Sequence, residues 1–272
     1  MANFDLGEPI TSRTNARVKA LRAAMSGKAR RPGEVAAIEG ETLILEASRS
    51  GIVLETIFVR EGSEAVLVAA AWHQVTPQSW VVLSPVVFAS AVETETPQGL
   101  AATFAIPAAP PLPDNVATVL LLEGVQDPGN VGTLIRSAEA FGADAVLLTN
   151  DCANAWSPKV IRSSAGSVFR MPMLRGELGA LTMLLRKRGC RLLAAVAHGA
   201  GVCEIDEVDF GSAWAILIGN EGVGLTPQAI AACDERITIP CEIESLNAAV
   251  AGSTILYEAM RQRLASKKNS TR

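Results

Sequence analysis

Three segments hold most of the residues whose type and spacing could do chemistry. In LIGNEGVGLTP (Leu217–Pro227) an apolar run ends in three glycines within six positions, and a carboxylate, Glu221, lies among them. EGVQDPGNVGTLIRSAEAFGA (Glu123–Ala143) offers Asn130 and Arg136, and ITIPCEIESLNAAVAGSTILYEAMRQR (Ile237–Arg263) offers Ser245 and Asn247. Glycine loops after apolar strands often cradle phosphates, but a carboxylate repels one. A P-loop needs a lysine that this loop lacks, and a dinucleotide fingerprint would follow the first strand of its unit, where GVQDPG stands instead of GxGxxG. The loop suits a ligand that brings a cation or a hydroxyl donor. The plainer reading is a tight turn with an exposed glutamate, Pro227 opening the next helix.

Around Arg136, Val131, Leu134, Ile135 and Ala138 follow i, i+3, i+4, i+7, one buried helical stripe. Arg136 lies about 140° from Val131 at 100° per residue, away from that stripe. Spacing alone is equally satisfied by an ordinary surface arginine and by Asn130 as an N-cap. Ser245 is suited to cap the last helix, whose first turns, AAVAGS, are small enough for another backbone to come close, within the domain or from a second copy.

Two histidines, His73 and His198, leave histidine-based hydrolysis and zinc binding without their usual parts, and no metal site is expected. The five cysteines are scattered, with no CxxC spacing, as befits free thiols in a reducing cytoplasm. MANFDLGEP carries no basic segment leading into an apolar one, and the most apolar long region, Ala65–Val92, is interrupted by HQVTPQS, so neither a signal peptide nor a membrane span is expected.

The net charge of −4 conceals a segregation. Thr11–Gly33 holds seven Lys/Arg and no acid, Lys159–Arg191 eight against one, and Arg261–Arg272 five against none. The rest of the chain carries −23. Three basic runs on an acidic chain are the pattern of a polyanion footprint, although any one run also reads as a solvated face.

Positioning these residues calls for two domains in 272 residues. IPAAPPLPDN (Ile106–Asn115), with four prolines, reads as a stiff linker. Upstream, helices over Asn15–Met25 and Glu39–Ser50 and strands over 54–60, 81–83 and 99–106 predict a small α/β domain, 1–106. Downstream, 116–272 alternates apolar strands (118–124, 144–150, 168–173, 191–198, 213–219, 236–240) with helices from Asn130, over Leu178–Arg188 and from near Ser245. That alternation predicts a mostly parallel sheet with helices on both faces, its ligand at the carboxyl ends of the strands.

Taken in order and at these separations, NVGTLIRSAEAFGA, IGNEGVGL and IPCEIESLNAAVAGSTILYEAM resemble the three motifs of the SpoU (TrmH-like) family of RNA 2′-O-ribose methyltransferases, in the SPOUT superfamily. ITSRTNARVKAL, EGETLILEA and TPQGLAATF are similar to that family's N-terminal substrate-binding domain, which has a ribosomal-protein-like fold. The resemblance implies a sheet threaded into a trefoil knot, a homodimer paired across it, and S-adenosylmethionine held by loop backbone. By motif correspondence the cofactor contacts are Gly219, Ile239 and Leu246, with Ala197 and Cys241. The catalytic residues carried over are Asn130, Arg136, Glu221, Ser245 and Asn247, with Arg136 as base or as phosphate anchor, oriented by Glu221, Ser245 and Asn247. RNA is expected along Arg13, Arg17, Lys19 and Arg22 and along Lys159, Arg162 and Arg170, with ribosomal RNA favoured over transfer RNA. The family commonly has a longer segment with a glycine before Ser-Leu-Asn, where this chain has only Cys241–Glu244. Two other functions remain: an RNA-binding or assembly factor without chemistry, and a nucleotide-dependent oxidoreductase.

Overall fold

A computed structural model describes residues 6–113, 116–199 and 201–269. Its elements run α1 (Ala16–Met25), β1 (Val35–Glu39), α2 (Glu41–Arg49), β2 (Leu54–Arg60), β3 (Ser79–Leu83), α3 (Pro85–Ala89), β4 (Leu100–Ala105), β5 (Thr118–Leu122), α4 (Pro128–Ala140), β6 (Ala145–Thr149), α5 (Pro158–Ser163), β7 (Met173–Gly176), α6 (Leu178–Lys187), β8 (Arg191–Ala195), β9 (Cys203–Glu204), β10 (Trp214–Ile218), α7 (Pro227–Ala231), β11 (Glu235–Thr238) and α8 (Ala248–Asn269). They form two units: Met1–Ala108 with Asn154–Arg170, and Ala109–Ala153 with Met171–Arg272. The first unit therefore takes residues 154–170 out of the stretch expected to be one domain. Of the expected linker, 106–113 holds neither helix nor strand, while Asp114 and Asn115 lie outside the described residues.

In the first unit a four-stranded sheet has the order β1-β4-β2-β3; β4 is antiparallel to both its neighbours, and β2 is parallel to β3. The Asn15 side chain caps α1 by accepting from Arg17 N. That helix buries Val18, Leu21, Ala24 and Met25 against Phe58, Val81, Leu83 and Phe88. Residues 154–170 are held here by side-chain contacts: Asn154 Nδ2 donates to Gly27 O and Ala29 O at 2.8 and 2.6 Å. The ring of Phe104 also meets those of Trp156 and Phe169 at 6.1 and 5.8 Å. Burying those aromatic faces outweighs sequence proximity.

In the second unit seven strands, all parallel, follow the order β7-β6-β5-β10-β8-β11-β9. All five residues of β5, β6 and β10 are buried, as sheets covered on both faces require. On one face Val119, Leu121, Leu147 and Leu217 meet Leu181 and Leu185 of α6 and Ala229 of α7. On the other, α8 lies against α4 and β10, with Gly252 so close to Leu134 that a Cβ there would overlap its side chain. The small residues of α8 thus serve packing within the unit.

Two local expectations give way. Residues 168–173 do not form a strand: Ala165 (φ 49°) and Gly166 (φ 84°) turn the chain, Ser167–Phe169 is a 3-10 turn, and the strand is β7. The last helix begins at Ala248; Asn247 Oδ1 accepts from Ala249 N and Val250 N at 2.9 and 3.2 Å, so Asn247 and not Ser245 is its cap.

Candidate active site

β5 and β10 pair in register, Leu122 beside Ile218, so the loops leaving them emerge together at the carboxyl end of the sheet. After β5, Asp127 caps α4 by accepting from Asn130 N at 2.9 Å. Asn130 is therefore not the N-cap, and its side-chain amide is free for other work. After β10, Asn220 N and Gly224 O, and Gly224 N and Asn220 O, close a tight turn at 3.1 and 2.9 Å. Gly219 packs on that turn, and a Cβ there would run into the backbone of Gly224 and Leu225. Asn220 holds the turn by accepting from Gly222 N at 2.8 Å and donating to Gly124 O at 2.8 Å. Buried Glu123 fixes the far end, accepting from Thr226 N and Oγ1 at 2.9 and 2.6 Å.

This places Glu221 against the other loop. Its carboxylate accepts from Asn130 Nδ2 at 2.9 Å and from the backbone N–H of Asp127 and Gln126 at 3.1 and 3.3 Å. Asn247 Nδ2 donates to Asn130 Oδ1 at 3.1 Å. Three residues 117 positions apart at most are thus joined in one line, Glu221 to Asn130 to Asn247. Burial pushes the Glu221 carboxyl up, but the Asn130 amide and the backbone N–H groups outweigh it and hold its pKa below the ordinary glutamate value.

Beside this line lies a cavity of about 420 Å³, bounded by the loops after β8, β10 and β11 and by the start of α8. All five expected cofactor positions, Ala197, Gly219, Ile239, Cys241 and Leu246, line it, together with Ser245, Glu221, His198 and Glu244. Among the described residues no lysine or arginine does. His198 Nε2 donates to Cys241 O at 3.1 Å, in the tautomer that carries the proton there, and ties the loop after β8 to the loop after β11. An enclosure of exposed loop backbone and apolar walls, with carboxylates and no fixed cation, suits an adenosine carrying a positive charge and disfavours a polyphosphate.

The other expected residues lie as follows. Arg136 is exposed on α4 and has no hydrogen-bond or ion-pair partner among the described residues, so Glu221, Ser245 and Asn247 do not orient it within one chain. Ser245 hydrogen-bonds to none of them. Arg13, Arg17, Lys19, Arg22, Lys159, Arg162 and Arg170 all belong to the first unit and are exposed. Arg22 bonds Ser90 through its O and Oγ at 3.1 and 3.3 Å, and Arg170 bonds Glu46 at 3.0 Å and Ser50 at 3.1 Å. Arg272, at the end of the third basic run, lies outside the described residues. Sequence reasoning missed Glu123, Asn220, His198 and Glu244; the asparagine in GNEG was the available signal for a side-chain-stapled turn.

A parallel sheet with a ligand loop at each of two neighbouring strand ends and a cation-free cavity beside them defines a nucleoside-cofactor α/β domain. The SpoU rRNA Methylase family model matches residues 117–257, and the MRM3-like substrate binding domain model matches 15–102. The chain is 34% identical over 254 residues to the 23S rRNA (guanosine(2553)-2′-O)-methyltransferase RlmP of Bacillus subtilis, covering 91% of this chain and 97% of that one. It resembles the structure of the SpoU methyltransferase AviRb from Streptomyces viridochromogenes in complex with AdoMet, at TM-score 0.79 and 27% identity over 92% of this chain and 99% of that one. An AdoMet-bound rRNA methyltransferase from Sinorhizobium meliloti aligns at TM-score 0.79 and 29% identity over 93% and 97%. The chain belongs to the SpoU rRNA methylase family.

Proposed function

We propose that the chain transfers a methyl group from S-adenosylmethionine to a ribose 2′-hydroxyl of ribosomal RNA. The observation that carries this reading is the Glu221–Asn130–Asn247 line at the edge of a cavity with no lysine or arginine. S-adenosylmethionine, when bound, supplies a methyl group already activated on a sulfonium, so the protein's work is alignment and removal of a proton. Gly219, Ile239, Leu246, Ala197 and Cys241 line the cavity that would hold it. Glu221 and Asn247, rigidly spaced through Asn130, orient the ribose by hydrogen bonds, with the Ser245 hydroxyl free to join them. Arg136, without a side-chain partner among the described residues, anchors the phosphate next to the target and polarises the hydroxyl through its guanidinium.

Pairing of two copies and knotted threading of the C-terminal strands belong to the same reading. Val250, Tyr257 and Leu264, exposed at seven-residue spacing on α8, form a stripe suited to cover by a second copy. Exposed Arg13, Arg17, Lys19 and Arg162 would meet RNA. Among the described residues no helix is long and apolar enough to cross a membrane. The test is transfer of labelled methyl to ribosomal RNA from cells that lack the protein. Wild type should label one nucleotide, and Arg136→Ala should lose roughly a hundredfold or more in rate while cofactor affinity holds. Undiminished turnover by that variant overturns the role given to Arg136, and absence of transfer by wild type overturns the reading itself.

A further inference from the structure

The first unit has a groove that the methyl-transfer chemistry does not use. It has a volume of about 670 Å³ and lies between α1, the loop after it and the sheet. Its origin is readable: Ala20, Ala23 and Ala24 face it from α1, and side chains this small leave open the space a leucine would fill. Its floor carries hydroxyls beside Phe58, where a helix-covered sheet is normally apolar throughout. Thr103 and Thr56 stand side by side across β4 and β2, and Thr56 Oγ1 shares a hydrogen bond of 2.9 Å with Ser79 Oγ on β3. Between β2 and β4 the register slips, Leu54 facing Phe104 and Thr56 facing Thr103, so Glu55 is the extra residue of a β-bulge. Bulges re-aim a side chain, and both Glu55 and Thr56 line the groove. Arg17 and Lys28 stand at its edge, exposed and without partners among the described residues. The other lining carboxylate, Glu34, is committed to the backbone N–H of Arg30 and Arg31 at 2.6 and 3.0 Å.

Cations at the rim, hydroxyls on the floor and one uncommitted carboxylate are a complement to a single nucleotide. Resting on the methyltransferase reading above, we propose that this groove takes an unpaired guanosine of the substrate RNA, distinct from the nucleotide that is methylated. Its phosphates lie on Arg17 and Lys28. Its base enters the space left by the alanines, and its adjacent N1–H and N2–H donate to the two Glu55 oxygens. A uracil, with one N–H between two carbonyls, cannot make that pair.

The experiment is binding of the full chain to labelled 12-nucleotide single strands, one all uridine and one with a central guanosine, across a salt series. Wild type should bind the guanosine strand about tenfold more tightly. Ala20→Leu and Ala23→Leu, both at exposed helical positions, should remove most of that affinity with the melting temperature and the salt slope unchanged. Glu55→Gln should erase the preference for guanosine, and Arg17→Gln with Lys28→Gln should weaken both strands and flatten the slope. Equal binding of the two strands by wild type, or leucine variants that bind as wild type does, overturns the proposal. A chain that methylates ribosomal RNA yet ignores the short strands also overturns it, and leaves the methyltransferase reading intact; failure to methylate any RNA strikes that reading instead.

Discussion

Asn247 Nδ2 donates to Asn130 Oδ1 at 3.1 Å, and the same Asn130 donates to Glu221. Asn130 thus spends its acceptor on one partner and a donor on the other. Its amide sits between the cap of α8 and the carboxylate of the glycine loop. Asn130→Ala should cost about 2 kcal/mol of stability, the worth of two largely exposed hydrogen bonds. It should reduce methyl transfer far more, because Glu221 and Asn247 lose their fixed spacing. Cofactor affinity, measured by calorimetry, should stay within a factor of about three, since Asn130 does not line the cavity.

Gly219→Ala should abolish cofactor binding, because its methyl group would occupy the backbone of Gly224 and Leu225. The loop must shift, at a cost of roughly 2 kcal/mol or more. Gly179→Ala is the control: it lies on α6 away from the cavity, and nothing within 4 Å would meet its Cβ, so it should bind cofactor as wild type does. Equal behaviour of the two variants in calorimetry would show that the turn is looser than its hydrogen bonds imply.

Glu123→Ala should unseat Thr226 and with it the downstream end of the glycine loop. Two hydrogen bonds to a buried carboxylate are lost, a cost of about 3 kcal/mol. A fall in melting temperature with weakened cofactor binding is expected, and Glu123→Gln should recover part of both.

The depressed pKa of Glu221 fixes a sign. A carboxyl whose pKa is lower folded than unfolded adds stability that is present above the ordinary value of 4.5 and is lost as pH falls below it, through the folded value. Glu221→Gln should therefore flatten the fall of melting temperature on acidification below about pH 4.5 and leave the profile near neutrality level. An acid limb identical to that of wild type would refute the assignment.

Cys233 makes a contrasting case. Burial first, and the Asp234 charge after it, push its thiol up to about 12. Alkylation by iodoacetamide at pH 8 should leave it unmodified while a free cysteine in the same solution reacts, as read by mass spectrometry.

What was legible in the sequence followed from strong, repeated physical patterns. Runs of at least four apolar residues, VLLL in β5, AVLL in β6, LLAA in β8 and WAILI in β10, make these strands readable, because strands buried on both faces admit little else. That the five positions expected at the cofactor would come together was legible because motif order places them on neighbouring loops, and all five line one cavity. By contrast β9, two residues long, has no period to read. The cap of α8 was misassigned because Ser-Leu-Asn offers two capping side chains, and only the path of the chain decides which reaches Ala249 and Val250. Residues 154–170 were read as part of the downstream domain because the partners of Asn154, Trp156 and Phe169 lie at Gly27, Ala29 and Phe104, beyond the reach of any local window.

That excursion of the chain has a consequence for descent and for engineering. A unit assembled from two stretches of sequence, Met1–Ala108 and Asn154–Arg170, cannot be traded by joining genes at the proline-rich stretch. A recombinant cut there would carry the foreign fragment's 154–170 and leave Phe104 without the rings it evolved against. An exchange that keeps this unit's core intact must take both stretches, Met1–Ala108 and Asn154–Arg170, from the same parent.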